Sequence, residues 1–222
     1  TPATFEAVAA EAVACDPRAW HDWPACHGRE GGRNDWTVVP FVHTFPASDP
    51  SATTWIAPTC ARCPATASAL RALGPRLRTA LFSRLGPRTR LSAHTGWEDL
   101  ANHGLRCHLR RPVPAVCRRG ARRAAAADER EQRGGSGGGG GDDYDDELDV
   151  DSDGADGGDA DNASERPCCG VWCDGDVEYH RERDWLVFDD SKLHKAFNDH
   201  PERERIVLIV DLARPEGMPP GR

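Results

Sequence analysis

The sequence predicts a mainly β domain of the sandwich or barrel type, and two observations support that class. Short segments rich in β-branched and aromatic residues recur between Gly, Pro and Asp turns, which is typical of antiparallel strands. The last segment contains an uninterrupted apolar run at 206–210, which indicates a strand buried on both faces. Six strands are predicted in this way, at residues 78–85, 105–109, 170–173, 176–180, 185–188 and 205–212.

Two helices and one further strand are predicted before these segments. Thr1 is a candidate N-cap and Pro2 suits the first helical position, so a short helix is expected to open the chain. Residues 36–42 form a candidate strand in a region rich in Pro, Gly, Trp and His. A second helix is predicted over 65–73, because it follows a Cys-Pro pair and ends before Gly74 and another proline.

The net charge of −8 belongs to one segment of the chain, residues 118–166. Between 142 and 161 there are eleven acidic residues and no basic ones, and the whole segment holds 11 of the 22 glycines. The remaining 173 residues carry no net charge. Such a composition buries too little apolar surface to offset the entropy of ordering, so a disordered insert is predicted.

Composition also argues against several classes of function. An acidic chain lacks the basic surface of a general nucleic-acid binder. The longest apolar run is far shorter than the ~20 residues of a transmembrane helix. The chain begins at Thr1 without a charged-then-apolar leader, so no signal peptide is predicted. A fragment cut from a longer protein would also lack such a leader. The nine cysteines are an odd number in a chain long enough to fold without disulfides, which favours a reducing, intracellular compartment.

Five of the cysteines leave a structural zinc site open as an alternative. Cys60 and Cys63 have C-x-x-C spacing, whereas Cys168, Cys169 and Cys173 form a second group without it. Because a four-thiolate zinc site usually takes two such pairs, this spacing disfavours zinc.

Histidines near strand ends predict a different site. His94 and His194 each follow a predicted strand, and His108 lies within one. Neutral imidazoles are ligands for a divalent first-row metal such as Fe(II). Arg205 opens the apolar final strand, and a buried arginine needs an anionic partner because its charge cannot be neutralised. Together these residues predict a metal pocket with a cationic anchor for an anionic co-substrate.

Six segments that contain these residues occur in a fixed order over about two thirds of the chain, interrupted by 118–166. They are Cys63-Pro64-Ala65-Thr66, Leu81-Phe82-Ser83-Arg84-Leu85, His94-Thr95-Gly96, Leu105-Arg106-Cys107-His108-Leu109, Phe188-Asp189-Asp190-Ser191 with His194, and Arg205 through Asp211 to Pro215. In this combination they resemble the aspartyl/asparaginyl β-hydroxylase family.

The resemblance implies a double-stranded β-helix, a jelly-roll or cupin-like core. One domain over 1–222 is expected, with its core at about 36–117 and 167–215 and with flanking N-terminal helices. The implied activity is that of an Fe(II)- and 2-oxoglutarate-dependent dioxygenase, which uses O2 to hydroxylate an Asp or Asn side chain in a peptide or protein. The alternatives are hydroxylation of an acyl chain or small molecule, and a non-catalytic jelly-roll binding domain. Neither a nucleic-acid partner nor a membrane segment is expected.

The resemblance also implies the residues of the site. His94 and His194 are expected to bind the metal and to be catalytic. Arg205 is expected to pair with the far carboxylate of 2-oxoglutarate, and Arg203 is the alternative anchor. Two further residues are expected to line the co-substrate site: Arg106 and His108.

The family departs from most such oxygenases in lacking the carboxylate of the two-His-one-carboxylate triad. Gly96 stands here where an H-x-D/E motif places that carboxylate, and a water is expected to take its position. Glu98 and Asp99 are nearby candidates for an acid around the metal site. Asp189 and Asp190 are expected either to act as turn acids or to orient a ligand histidine.

Overall fold

The computed structural model describes residues 1–23, 35–110, 116–117, 166–181 and 183–221. The chain divides into two compact units, one made of Thr1–Val116 and Pro167–Arg222, the other of Cys117–Arg166. The predicted insert at 118–166 lies outside the described residues except for Arg166. None of the helices in the described part is long and apolar enough to cross a membrane.

The described ranges contain four α-helices and thirteen strands, numbered in chain order. The helices are α1 (Pro2–Ala14), α2 (Ala57–Arg62), α3 (Pro64–Arg71) and α4 (Glu98–His103). The strands are β1 (His21–Asp22), β2 (Trp36–Thr44), β3 (Thr53–Trp55), β4 (Leu77–Leu85), β5 (Thr89–Arg90), β6 (Gly104–Arg110), β7 (Val116–Cys117), β8 (Arg166–Pro167), β9 (Cys169–Cys173), β10 (Asp176–Tyr179), β11 (Trp185–Phe188), β12 (His194–Asn198) and β13 (Arg205–Ala213).

Two antiparallel sheets dominate the first unit. The larger has the order β1-β2-β4-β13-β6-β11, with β3 also paired to β2, and the smaller has the order β10-β9-β12-β5. Neighbours in these sheets are often distant in sequence, as with β13 between β4 and β6. The predicted mainly β, jelly-roll fold is confirmed.

The central strand β13 has two differently built faces. Side chains alternate across a strand, so residues 206, 208 and 210 point to one side and 205, 207, 209 and 211 to the other. We call the first side the outer face. It packs with the hydrophobic residues of α1 and α3 that face the sheet, namely Val8, Ala12, Ala67 and Leu70.

We call the opposite side the inner face, and it lies against the smaller sheet. Val207 and Ile209 form a core there with Val171 and Ala196 from strands of that sheet. All residues from Arg205 to Asp211 are buried, which confirms the prediction of a strand buried on both sides. The inner face is therefore the place where polar residues of β13 and β6 would meet the histidines of the smaller sheet.

The observed helices agree only in part with those predicted from the sequence. The helix predicted over 65–73 is α3, one residue earlier at its start and two shorter at its end. Neither α2 nor α4 is among the predicted elements. Both have six residues and no side-chain hydrogen bond at the N-cap, so the usual start signal is absent.

Candidate metal centre

His94 and His194 lie side by side although 100 positions separate them. Their backbones form a two-way bridge in which each N–H donates to the other's carbonyl at 2.9 Å. The two imidazole ring centroids are 4.4 Å apart. The first residue of β12 thereby meets the loop after β5, which brings together the two residues predicted to bind a metal.

Each of these rings is oriented by a carbonyl two residues earlier in the chain. Nδ1 of His94 lies 2.8 Å from the oxygen of Ser92, and Nδ1 of His194 lies 2.8 Å from the oxygen of Lys192. A carbonyl oxygen only accepts, so both Nδ1 atoms carry a proton, and Nε2 is the remaining nitrogen of each ring. This is how ligand histidines are normally held, and the pair fits a divalent metal.

A carboxylate lies against the Nε2 atom of His194. Oδ1 of Asp190 is 3.2 Å from that nitrogen, and the Asp190 side chain is buried. The backbone N–H of Gly96 donates to the Asp190 carbonyl at 2.7 Å. A Cβ atom on residue 96 would lie only 1.8 Å from Oδ2 of Asp190. The acid of Asp190 therefore fills the space beside Gly96, the position where an H-x-D/E motif would carry its own carboxylate.

Asp190 and its neighbour Asp189 have different surroundings. Oδ1 of Asp189 accepts from the N–H and the hydroxyl of Ser191, as a turn acid does, and it also pairs with Arg214. Of the two roles expected for this pair, Asp189 has the turn role, and Asp190 contacts His194. Asp99 accepts from the N–H of Ala47 at 2.7 Å and so ties α4 to the loop after β2.

Arg106 joins two buried carboxylates on the inner face. Its Nε and Nη2 atoms donate to Asp211 at 2.8 and 3.1 Å, and Nη1 donates to Asp190 at 2.6 Å. The pairing with Asp211 follows from register, because these residues are directly opposite on β6 and β13. Although burial opposes the charge, the two carboxylates raise the pKa of Arg106. Arg106 is thus a fixed cation that holds Asp190 in place.

His108 lies two residues further along the same face of β6. It stands opposite Ile209 of β13 and Leu186 of β11. Burial, followed by the nearby His180 and Arg205, holds the pKa of His108 well below its usual range. His108 is therefore a neutral imidazole at physiological pH.

Arg205 and Arg203, the two candidate anchors, differ in burial. Arg205 is buried at the start of β13, opposite Leu85, whereas Arg203 is exposed. Asn198 is fully buried and its amide donates to the carbonyls of Leu85, Gly86 and Arg203. This side chain fixes the turn that delivers Arg205 to the inner face.

Two residues of the site, Asp211 and His180, were not predicted as members of it, and a third, Asp190, was predicted only in part. Asp211 has the same strand parity as Arg205, so a charge six residues later in an apolar strand was a usable signal. Asp190 was expected only as one of a pair. His180 follows the exposed strand β10, yet its side chain is buried against His108. No spacing in the sequence indicates that contact.

The cysteines of the zinc alternative lie in different parts of the fold. Cys60 and Cys63 belong to the core under the outer face, whereas Cys173 packs at the edge of the core between the sheets. Within the described part of the chain, no group of three or more His, Cys, Asp or Glu side chains is arranged to hold a metal ion.

The fold and the two facing imidazoles define a jelly-roll protein with a candidate metal centre. The sequence model of one family, aspartyl/asparaginyl β-hydroxylase, matches residues 3–132 and 160–215. The chain belongs to this family, and the resemblance found in the sequence is confirmed.

Solved structures that are similar to the chain are distant in sequence. KdgF from Halomonas sp. is 9% identical, and the match covers 86% of this chain and 89% of the KdgF chain, with a TM-score of 0.35. A predicted oxalate decarboxylase from Thermotoga maritima is 8% identical, with 88% and 98% covered and a TM-score of 0.36. No curated protein matches the chain.

Proposed function

We propose that this protein is an Fe(II)- and 2-oxoglutarate-dependent dioxygenase that hydroxylates an Asp or Asn side chain in a peptide or protein. One observation carries the proposal: two imidazoles face each other, and each is oriented by its Nδ1 atom bound to a carbonyl, as ligand histidines normally are. Membership of the hydroxylase family supports the reaction class. His94 and His194 are the metal ligands in this proposal.

Bound iron and 2-oxoglutarate supply the oxidising chemistry, with O2 as oxidant and succinate and CO2 as the products of the co-substrate. The chain's own part is to bind, orient and exclude water. Asp190 is an acid at the Nε2 side of His194, and Arg106 holds it in place. Two imidazoles without a third protein ligand bind a metal weakly, so this surrounding shell matters more than in a three-ligand site.

The co-substrate is an anion, and the inner face provides cations for it. Arg205 is the proposed partner of the far carboxylate of 2-oxoglutarate, because a guanidinium pairs with a carboxylate through two parallel N–H donors. Its burial removes the competition of water for that pair. His108 and Arg106 line the same face. Arg106 uses three of its five N–H donors on Asp190 and Asp211, so two are left for the co-substrate.

Metal-free protein reconstituted with Fe(II), ascorbate and 2-oxoglutarate tests the activity. We expect succinate to form and an Asp- or Asn-containing peptide to gain one oxygen. His194→Ala is expected to lose Fe(II) binding, while His103→Ala, a change at an exposed histidine of α4, is expected to keep it. Oxygen gained only by an acyl chain or small molecule would favour the alternative substrate class. If no peptide, acyl chain or small molecule is turned over in a metal-dependent way, the chain would instead be a non-catalytic binding domain.

The two arginines provide a matched pair for the anchor. Arg205→Ala is expected to raise the KM for 2-oxoglutarate by about tenfold or more, because a charge-assisted pair contributes about 1.5–3 kcal/mol. Arg203→Ala is expected to leave that KM unchanged. The opposite result would make Arg203 the anchor.

A further inference from the structure

His108 and His180 form a buried pair beside the site. Nδ1 of His108 is 3.2 Å from Nε2 of His180, and the two rings are nearly parallel, with centroids 5.4 Å apart and planes 11° apart. They are 3% and 2% exposed. His180 is held from its own backbone, whose N–H donates to the carbonyl of Cys169 on β9. His180, next to the smaller sheet, thus contacts His108 on the larger sheet.

The hydrogen bond in this pair can run in only one of two directions. Either His108 donates from Nδ1, or His180 donates from Nε2 and His108 accepts. A neutral imidazole carries one proton, so the second arrangement puts the proton of His108 on its Nε2 atom. His108 is neutral here because burial and the nearby cations disfavour its charged form.

The other nitrogen of His108 decides between these directions. Its Nε2 atom is buried and has no hydrogen-bond partner among the described residues. A buried polar atom of this kind costs free energy unless a ligand completes it. Arg205 and Arg106 are close enough to depress the pKa of His108, so two guanidinium groups lie near this imidazole and suit an anionic ligand. An N–H at Nε2 would donate to a carboxylate oxygen, whereas a lone pair there would repel it.

We propose that His180 is a positioning residue whose Nε2–H donates to Nδ1 of His108, which fixes the His108 proton on Nε2 and aims it at a carboxylate oxygen of the co-substrate. The identity of the co-substrate, 2-oxoglutarate, rests on the proposed function. The direction of the hydrogen bond and the position of the proton do not depend on it.

The first measurement reads the proton position directly in metal-free protein. Two-bond ¹H–¹⁵N correlations of the uniformly ¹⁵N-labelled chain distinguish the two tautomers, and His108→Gln and His180→Gln assign the two rings. We expect Nε2 of His108 to be protonated and its Nδ1 to be a hydrogen-bonded acceptor. A proton on Nδ1 of His108 would overturn the proposal whatever the protein binds.

The second measurement is equilibrium binding of 2-oxoglutarate to Zn(II)-loaded protein, which cannot turn over. His180→Phe keeps an aromatic ring but removes the donor, and we expect about tenfold weaker binding. His180→Gln restores an N–H near the same position, so binding is expected within about threefold of wild type. With Fe(II), KM for 2-oxoglutarate should follow the same pattern while kcat changes less.

These outcomes separate this proposal from the proposed function. Unchanged binding in a folded His180→Phe variant would reject the positioning role. If His180→Phe does not fold, the tautomer in the wild-type chain still decides. Absence of 2-oxoglutarate binding to the wild type would reject the proposed function. The position of the His108 proton would still test the role of His180.

Discussion

The outer and inner faces of the β6–β13 ladder belong to the same two strands and are buried to the same degree, but they are built from different chemistry. The outer face is hydrocarbon and sulfur throughout, with Ile206, Leu208, Val210 and Cys107 packed under the helices. The inner face combines Val207 and Ile209 with the buried Arg205, Asp211 and His108 and with the partly buried Arg106.

The difference shows which face stabilises the fold and which one carries the site. Each large apolar side chain buried on the outer face contributes about 1.5–3 kcal/mol. A buried charge costs several kcal/mol unless a partner compensates it. On the inner face this compensation is local, since Arg106 binds Asp211 and Asp190 together. The inner face is therefore organised in advance for polar ligands, and the outer face supplies the stability that this arrangement requires.

The largest effect is expected from breaking the ion pairs of the inner face. Arg106→Leu leaves two buried carboxylates without their cation, so we expect a loss of about 3–5 kcal/mol in the free energy of unfolding. The matched control is Arg90→Leu. Arg90 also forms a two-bond pair, with Asp199, but its side chain is 53% exposed against 16% for Arg106. Its loss is expected to be below about 1 kcal/mol in the same urea titration. Equal losses would show that the inner face is no less screened than the surface.

A substitution on the outer face is expected to reduce stability without affecting the site. Leu208→Ala leaves a cavity under the helices and should lower the free energy of unfolding by about 3 kcal/mol. The affinity of the folded variant for Fe(II) should stay at the wild-type value. Leu73→Ala, at a leucine that is 37% exposed, is the control and should cost less than about 1 kcal/mol. A clear loss of Fe(II) affinity in Leu208→Ala would mean that the two faces are coupled.

The sequence predicted these two faces to different extents. The run at 206–210 identified β13 as buried on both sides, because a strand with apolar side chains on both faces is stable only when both faces are covered. The family motifs then brought His94, His194 and Arg205 together. The partners Asp211 and His180 depend on register between strands that are distant in the chain, and a single sequence does not contain that register. The contact of Gly96 with Asp190 likewise appears only once β11 and the loop before α4 are placed.

Gly96→Ala tests the place of the Asp190 carboxylate on the inner side. The added methyl group would overlap Oδ2, so Asp190 must move, and we expect a cost of about 2 kcal/mol in unfolding free energy together with weaker Fe(II) binding. The same change in an Asp190→Ala background should cost less than about 1 kcal/mol, because the overlapping atoms are gone. An equal cost in both backgrounds would place the clash elsewhere, for example at the Cβ of Ala101, 3.1 Å away.

The smallest expected effect concerns pH and the neutral imidazole of the inner face. Burial, with His180 and Arg205 nearby, lowers the pKa of His108 in the folded protein, while in the unfolded chain it is about 6.5. Below that value the unfolded chain binds a proton that the folded protein refuses, so the stability due to this group is complete above about pH 6.5 and is lost as the pH falls. Between pH 7.5 and 5.5 the wild type should therefore lose about 1 kcal/mol more than His108→Gln, which has no such proton. Urea titrations of both metal-free proteins at the two pH values measure this difference. Identical pH dependence would mean that His108 binds a proton as readily inside the fold as in the unfolded chain, so that burial and the nearby cations would not act on this imidazole.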